Sequence, residues 1–145
     1  INDPRPTFAF EILTDDKYGI TREGWFVRDE IMTDKYILCW IKSATVNDKG
    51  RIERSDDIHE VEVMILDKEK LRDYVHQYIS DEQMLQNAYE MRRSGETRIN
   101  VEDGITIVYT PTLTEQPINI VIKKFILNPL SDARYLVRAH KISVI

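Results

Sequence analysis

Polar and apolar positions alternate along residues 7–13, where Phe8, Phe10 and Ile12 share one side and Ala9, Glu11 and Leu13 the other. This period of two predicts a strand. Residues 14–23 are polar, contain Asp15-Asp16 and Gly19, and predict a loop. Residues 24–27 predict a second, short strand, and residues 28–33 a connector. From Tyr36 to Ile41 every side chain is large and apolar or carries sulfur, with lysines at 35 and 42. A run of this kind predicts a mid-sheet strand over 34–42, buried on both faces. Residues 47–50, Asn-Asp-Lys-Gly, predict a turn. In 59–66, Val61, Val63 and Ile65 alternate with Glu60, Glu62 and Met64, which predicts a half-exposed strand with the glutamates on its wet side.

The period then lengthens. Leu71, Tyr74, Val75, Tyr78 and Ile79 form one helical stripe behind an Asp67 cap, with Glu69, Arg72, Asp73 and Gln77 outside. A second helix opens at Ser80-Asp81, turns Met84, Leu85, Ala88, Tyr89 and Met91 inward, and stops at Gly95. Residues 98–101 and 105–110 flank Glu102-Asp103-Gly104 and predict a hairpin. A loop between Pro111 and Pro117, a strand over 118–122, a short helix over 123–130 ended by Pro129, and a last strand from 135 complete the order. Mixed order with few βαβ units predicts an α+β fold. One domain over 1–145 is expected, with a mixed, mainly antiparallel sheet and two or three helices.

Composition narrows this picture. A hydrophobic content of 42% and a net charge of −5 suit a globular chain and argue against a general nucleic-acid coat or an anionic-membrane binder. No apolar run reaches membrane-spanning length. The single cysteine, Cys39, falls in the apolar run. It reads as an inert core thiol in a reducing, cytoplasmic setting. Residues 1–7 read as an extended leader, and an opening at Ile1 suits a piece of a longer chain.

Three groups of residues are candidates for chemistry. Asp34, Glu60 and Glu62 would suit a divalent cation if their strands paired, although two glutamates on one strand face are more simply its wet side. His59, His76 and His140 lack the spacing of a zinc site, and the five scattered glycines form no phosphate loop. Lys123, Lys124, Arg134, Arg138 and Lys141 form the best nucleic-acid-binding candidate. Against them residues 123–141 hold one acid, Asp132. Arg134 and Arg138 fall on one side of a strand and suit successive phosphates, with Phe125 and Tyr135 as stacking faces. The plainer reading is a solvated sheet face. Trp25 and Trp40 read as packing residues.

The stretches FAFEIL, GWF, TDKYILCWI and VMILDKEKLRDYV, together with EQPINIVIKK, resemble the downstream half of small PD-(D/E)XK nucleases. Glu11, Gly24, Trp25, Thr33, Asp34, Tyr36 and Lys70-Leu71 occupy the similar positions over about half of the chain. The resemblance implies a restriction-endonuclease-like fold acting on DNA with Mg²⁺ or Mn²⁺. In that family the metal-binding Asp and the Glu-x-Lys pair precede the strand that FAFEIL resembles. The resemblance therefore implies catalytic residues before Ile1, or a fold kept without the chemistry. The alternative is a non-enzymatic binding or assembly domain, a homo-oligomer among its forms, using a strand edge or the Trp25 region.

Overall fold

The computed structural model describes residues 5–43 and 51–145; the turn expected at 47–50 lies outside them. Over the described residues the fold is α+β, with three α-helices and two sheets that pair antiparallel throughout rather than one mixed sheet. The first sheet has five strands. β1 (Thr7–Asp15) pairs with β2 (Thr21–Glu23) and β7 (Ile118–Lys123), which continues to β6 (Ile105–Tyr109) and β5 (Arg98–Glu102). The second has four strands in the order β3 (Lys35–Ser43), β4 (Ile58–Asp67), β8 (Ala133–Arg138) and β9 (Lys141–Val144). Among the described residues no helix is long and apolar enough to cross a membrane.

Local chemistry accounts for the helices. The Asp67 carboxylate accepts the Lys70 amide at 2.9 Å and starts α1 (Lys68–His76). Ser80 and Gln83 form a reciprocal capping box at the start of α2 (Asp81–Ser94), and Gly95, at φ 79°, closes it. The third helix, α3 (Lys124–Leu130), contains Pro129 near its end and lies against β7 and β4, so it joins the two sheets.

A single core connects the layers. Phe10 of β1 stacks edge-on or tilted against Trp25, Phe26 and Tyr36, with centroids 5.5–5.8 Å apart. Phe8 meets Trp40 at 5.9 Å, and the Trp40 indole donates to the Thr7 carbonyl at 3.0 Å. The isoleucines of β6 and β7 are buried on the same side of their sheet as Phe10, and α2 covers β1 and β6 with Met84, Ala88 and Met91.

Several expectations are corrected. Residues 14–23 are not all loop. β1 runs on to Asp15 and pairs with β2, around a turn in which Asp16 accepts the Tyr18 and Ile20 amides. Residues 24–27 form a tight turn, not a strand, and pack on the β1 bulge near Glu11. Gly24 is required there: a Cβ would stand 2.3 Å from the Glu11 carbonyl oxygen. Arg72 is buried rather than solvated, held by Asp29 at 2.8 Å and Asp81 at 2.5 Å. Tyr78 and Tyr89 turn outward from their stripes. The last strand is a hairpin, β8–β9, with His140 at φ 62° in its turn.

Candidate functional site

The strand expected at mid-sheet, β3, is an edge strand. Its side chains alternate strictly: Tyr36, Leu38 and Trp40 are buried, whereas Ile37, Cys39 and Ile41 are exposed. An apolar run with apolar residues on both sides looks doubly buried in sequence, but only one of its faces meets the core. Cys39 is therefore an exposed thiol, not a core one.

Strand pairing extends both faces across the sheet, because directly opposed residues of an antiparallel ladder share a face. On the outer face three cross-strand rows form. The first is Ile37, Ile65 and Ala133. The middle row is Cys39, Val63, Tyr135 and Val144. The third is Ile41, Val61, Val137 and Ile142. None of these residues is Asp, Glu, Lys, Arg or His. Ile37, Ile41, Ile142 and Val144 are 68%, 38%, 70% and 77% exposed. With strands about 4.8 Å apart and residues about 3.4 Å apart, four strands by five residues present roughly 300 Å² of flat apolar face. At one end the face meets a balanced rim. Asp132 accepts from Lys35 at 2.6 Å and Lys70 at 2.7 Å, and Asp67 lies 3.7 Å from Lys35. Those two bonds, from Lys35 first, hold the Asp132 carboxyl down at about 2. At the other end Val61 and Val137 run into a shallow hollow of about 490 Å³ beside Ile58 and His59, whose walls also carry Asp56, Glu60 and Arg138.

The inner face reverses the expectation for β4. Glu60 and Glu62 do not stand on a wet side; they share the face of Met64 and Leu66, both fully buried. Val61, Val63 and Ile65 take the outer side. Trp40 and Leu136 flank Glu62, and Lys42 and Arg138 flank Glu60. The Glu62 carboxylate accepts from Lys124 and, at 3.1 Å, from Arg134. Burial alone would raise its pKa; these two bonds outweigh burial and lower it. Glu60 accepts from Arg138 at 2.7 Å and lies 3.4 Å from Lys42, and the Arg138 bond lowers its pKa. The Lys124 ammonium also sits 4.5 Å over the Trp40 ring.

Thus three of the five expected nucleic-acid-binding residues, Lys124, Arg134 and Arg138, meet two carboxylates on one sheet face. Lys141, opposite Arg138, shares that face but is exposed beside the β8–β9 turn, and Lys123 points instead towards Asp103, at 3.8 Å. Asp34 does not join Glu60 and Glu62. Trp40, the partner of Glu62, lies six residue steps beyond Asp34, about 20 Å along a strand. Among the described residues no group of three or more His, Cys, Asp or Glu is arranged to hold a metal ion. His76 binds Asp81 at 2.8 Å, and His59 is exposed. Trp25 is partly buried against Phe10 and Tyr36, and with Phe8, Tyr36 and Ile37 it lines an open hollow of about 370 Å³ at the β3 edge.

Sequence reasoning missed both faces, yet a signal existed. Residues 37, 39 and 41, 61, 63 and 65, 135 and 137, and 142 and 144 are all of one parity within their strands, and none is charged. The Glu60/Glu62 and Arg134/Arg138 spacings fit one register, with Glu60 opposite Arg138. Comparison of the chain with protein-family models, curated proteins and solved structures found no match.

Proposed function

We propose that this chain is a non-enzymatic binding or assembly domain whose contact surface is the outer face of the four-stranded sheet. The observation that carries this reading is the uncharged face of three cross-strand rows, with Ile37, Ile142 and Val144 more than two-thirds exposed. The largest apolar patch on a protein surface, typically about 300–600 Å², is often functional. Folding alone gives no reason for this composition. The buried side chains of β3 and β4 lie on the inner face, and a wet sheet face ordinarily alternates to polar residues.

The test is the size of the protein in native cell extract. The wild type is expected to elute as a species larger than its own chain. Ile37→Lys combined with Val144→Lys is expected to elute as the free chain, with an unchanged circular dichroism spectrum. A wild type that elutes as the free chain refutes the reading.

The metal-dependent DNA nuclease draws less support. Its basic cluster keeps an excess of positive charge, but Glu60 and Glu62 engage Lys124, Arg134 and Arg138 within the fold. Its own test is EDTA-sensitive cleavage of duplex DNA with Mg²⁺ or Mn²⁺.

A further inference from the structure

We infer that the partner on the outer face is a second copy of this chain, the two four-stranded sheets packing face to face across a two-fold axis. The inference rests on the contact-surface reading above and names its occupant. Three features favour a second copy over a different protein.

The first is charge. The rim at the Lys35 end holds two cations, Lys35 and Lys70, and two anions, Asp67 and Asp132, already paired with one another. A strongly charged partner would find no free counter-charge there. A second copy brings an equally balanced rim, so at the Lys35 end two chains of net charge −5 meet without net local repulsion.

The second is shape. Sheets that stack face to face keep their strands within about 30°, an angle set by their twist, with side chains filling a layer about 10 Å thick. Two copies of one sheet carry the same twist and match by construction. Such a contact is isologous: where a residue of one copy meets a second residue of the other, the reverse contact forms as well, and both come from the same uncharged rows. The middle row, from Cys39 to Val144, would lie near its centre.

The third is area. A standard interface buries about 800 Å² of accessible surface on each partner, with an apolar centre and a polar rim. The roughly 300 Å² of flat face supplies an apolar centre of that kind. The paired rim and the hollow beside Val61 and Val137 supply the surround.

Sedimentation velocity of the purified chain, from about 1 to about 100 μM, tests this inference by mass action. A dimer of about 34 kDa is expected, twice the 17.1 kDa of the chain. Ile37→Lys and Val144→Lys, each alone, are expected to raise the dimer dissociation constant at least tenfold. The alkylation rate of Cys39 gives a second readout on the unaltered protein, and it should fall as concentration rises. A purified wild type that stays monomeric, with Cys39 equally reactive throughout, overturns the second-copy inference. A larger species in extract would then leave the contact surface standing with a different occupant. Monomer in both settings removes both readings. A dimer unaffected by either substitution also overturns the inference, because the copies then meet elsewhere.

Discussion

Glu62 and Glu60 stand two residues apart on one face of β4, yet their replacement by Gln is expected to cost different amounts. The Glu62 side chain is only 17% exposed and is held by Lys124 and Arg134, neither of which is more than a third exposed. The Arg134 Nε is buried without a partner among the described residues, so this cluster has little spare hydrogen bonding to absorb a loss. Charge-assisted bonds contribute about 1.5–3 kcal/mol each where buried. Discounted for the partial exposure here, the loss expected for Glu62→Gln is about 2 kcal/mol. Glu60 binds cations that are 54% and 44% exposed, Arg138 and Lys42, and its replacement should fall within the scatter of surface pairs.

Urea denaturation at neutral pH, with an unchanged m-value, measures both variants. For a chain of this length the Glu62 loss corresponds to a fall in Tm of about 6 °C. The pH dependence adds a sign. The folded-state pKa of Glu62 is lowered, so its contribution is present above the ordinary glutamate pKa and fades as pH falls through the folded value. The gap between wild type and Glu62→Gln should therefore narrow in acid. Equal losses for the two variants, or a gap that widens in acid, would refute the assignment of these glutamates to a graded inner face.

Gly24→Ala should lower stability by about 3 kcal/mol, since the new Cβ meets backbone at 2.3 Å and the β1 bulge has to shift; a Tm within 2 °C of wild type, a small fraction of that effect, would contradict this. Asp132→Asn should be less stable than wild type at neutral pH. That deficit should disappear as pH falls from about 4 to about 2, because Lys35 and Lys70 depress the Asp132 pKa only while its carboxyl is ionised; a deficit independent of acid would refute the pairing. Tyr36→Phe should be neutral or stabilising by about 1 kcal/mol. Its hydroxyl is buried with no partner among the described residues, and burial pushes its pKa to about 12. A clear loss of stability in a melt would show that the hydroxyl is bonded after all.

Much of the local structure could be read from the chain alone, because its causes are local. Asp67 and Ser80 mark helix starts by accepting amides three residues on, and Gly95 marks a helix end by donating its amide to the Met91 carbonyl four residues back; the structure keeps all of them. The α+β class and the β5–β6 hairpin followed from periodicity and from the Glu102-Asp103-Gly104 turn. The two sheets, and which face of each strand meets the core, did not. In β4 the apolar-looking side, Val61, Val63 and Ile65, faces out, and the side bearing Glu60 and Glu62 faces in. Alternation identifies two faces of a strand, but only stacking decides which one is covered.

By itself the sequence determined the alternation within the longer strands, the helix caps at Asp67, Ser80 and Gly95, and the run of uncharged positions that β3, β4, β8 and β9 share between Lys35 and the far end of the sheet. Tertiary structure alone decided that β3 is an edge, that Cys39 is exposed, and that Lys124, Arg134 and Arg138 turn inward to two glutamates. The reason is physical. Propensity and capping act over a few residues. Burial and ion pairing depend on contacts between residues far apart in the chain, such as Glu62 with Arg134, and no local pattern encodes which layer will lie above a given face.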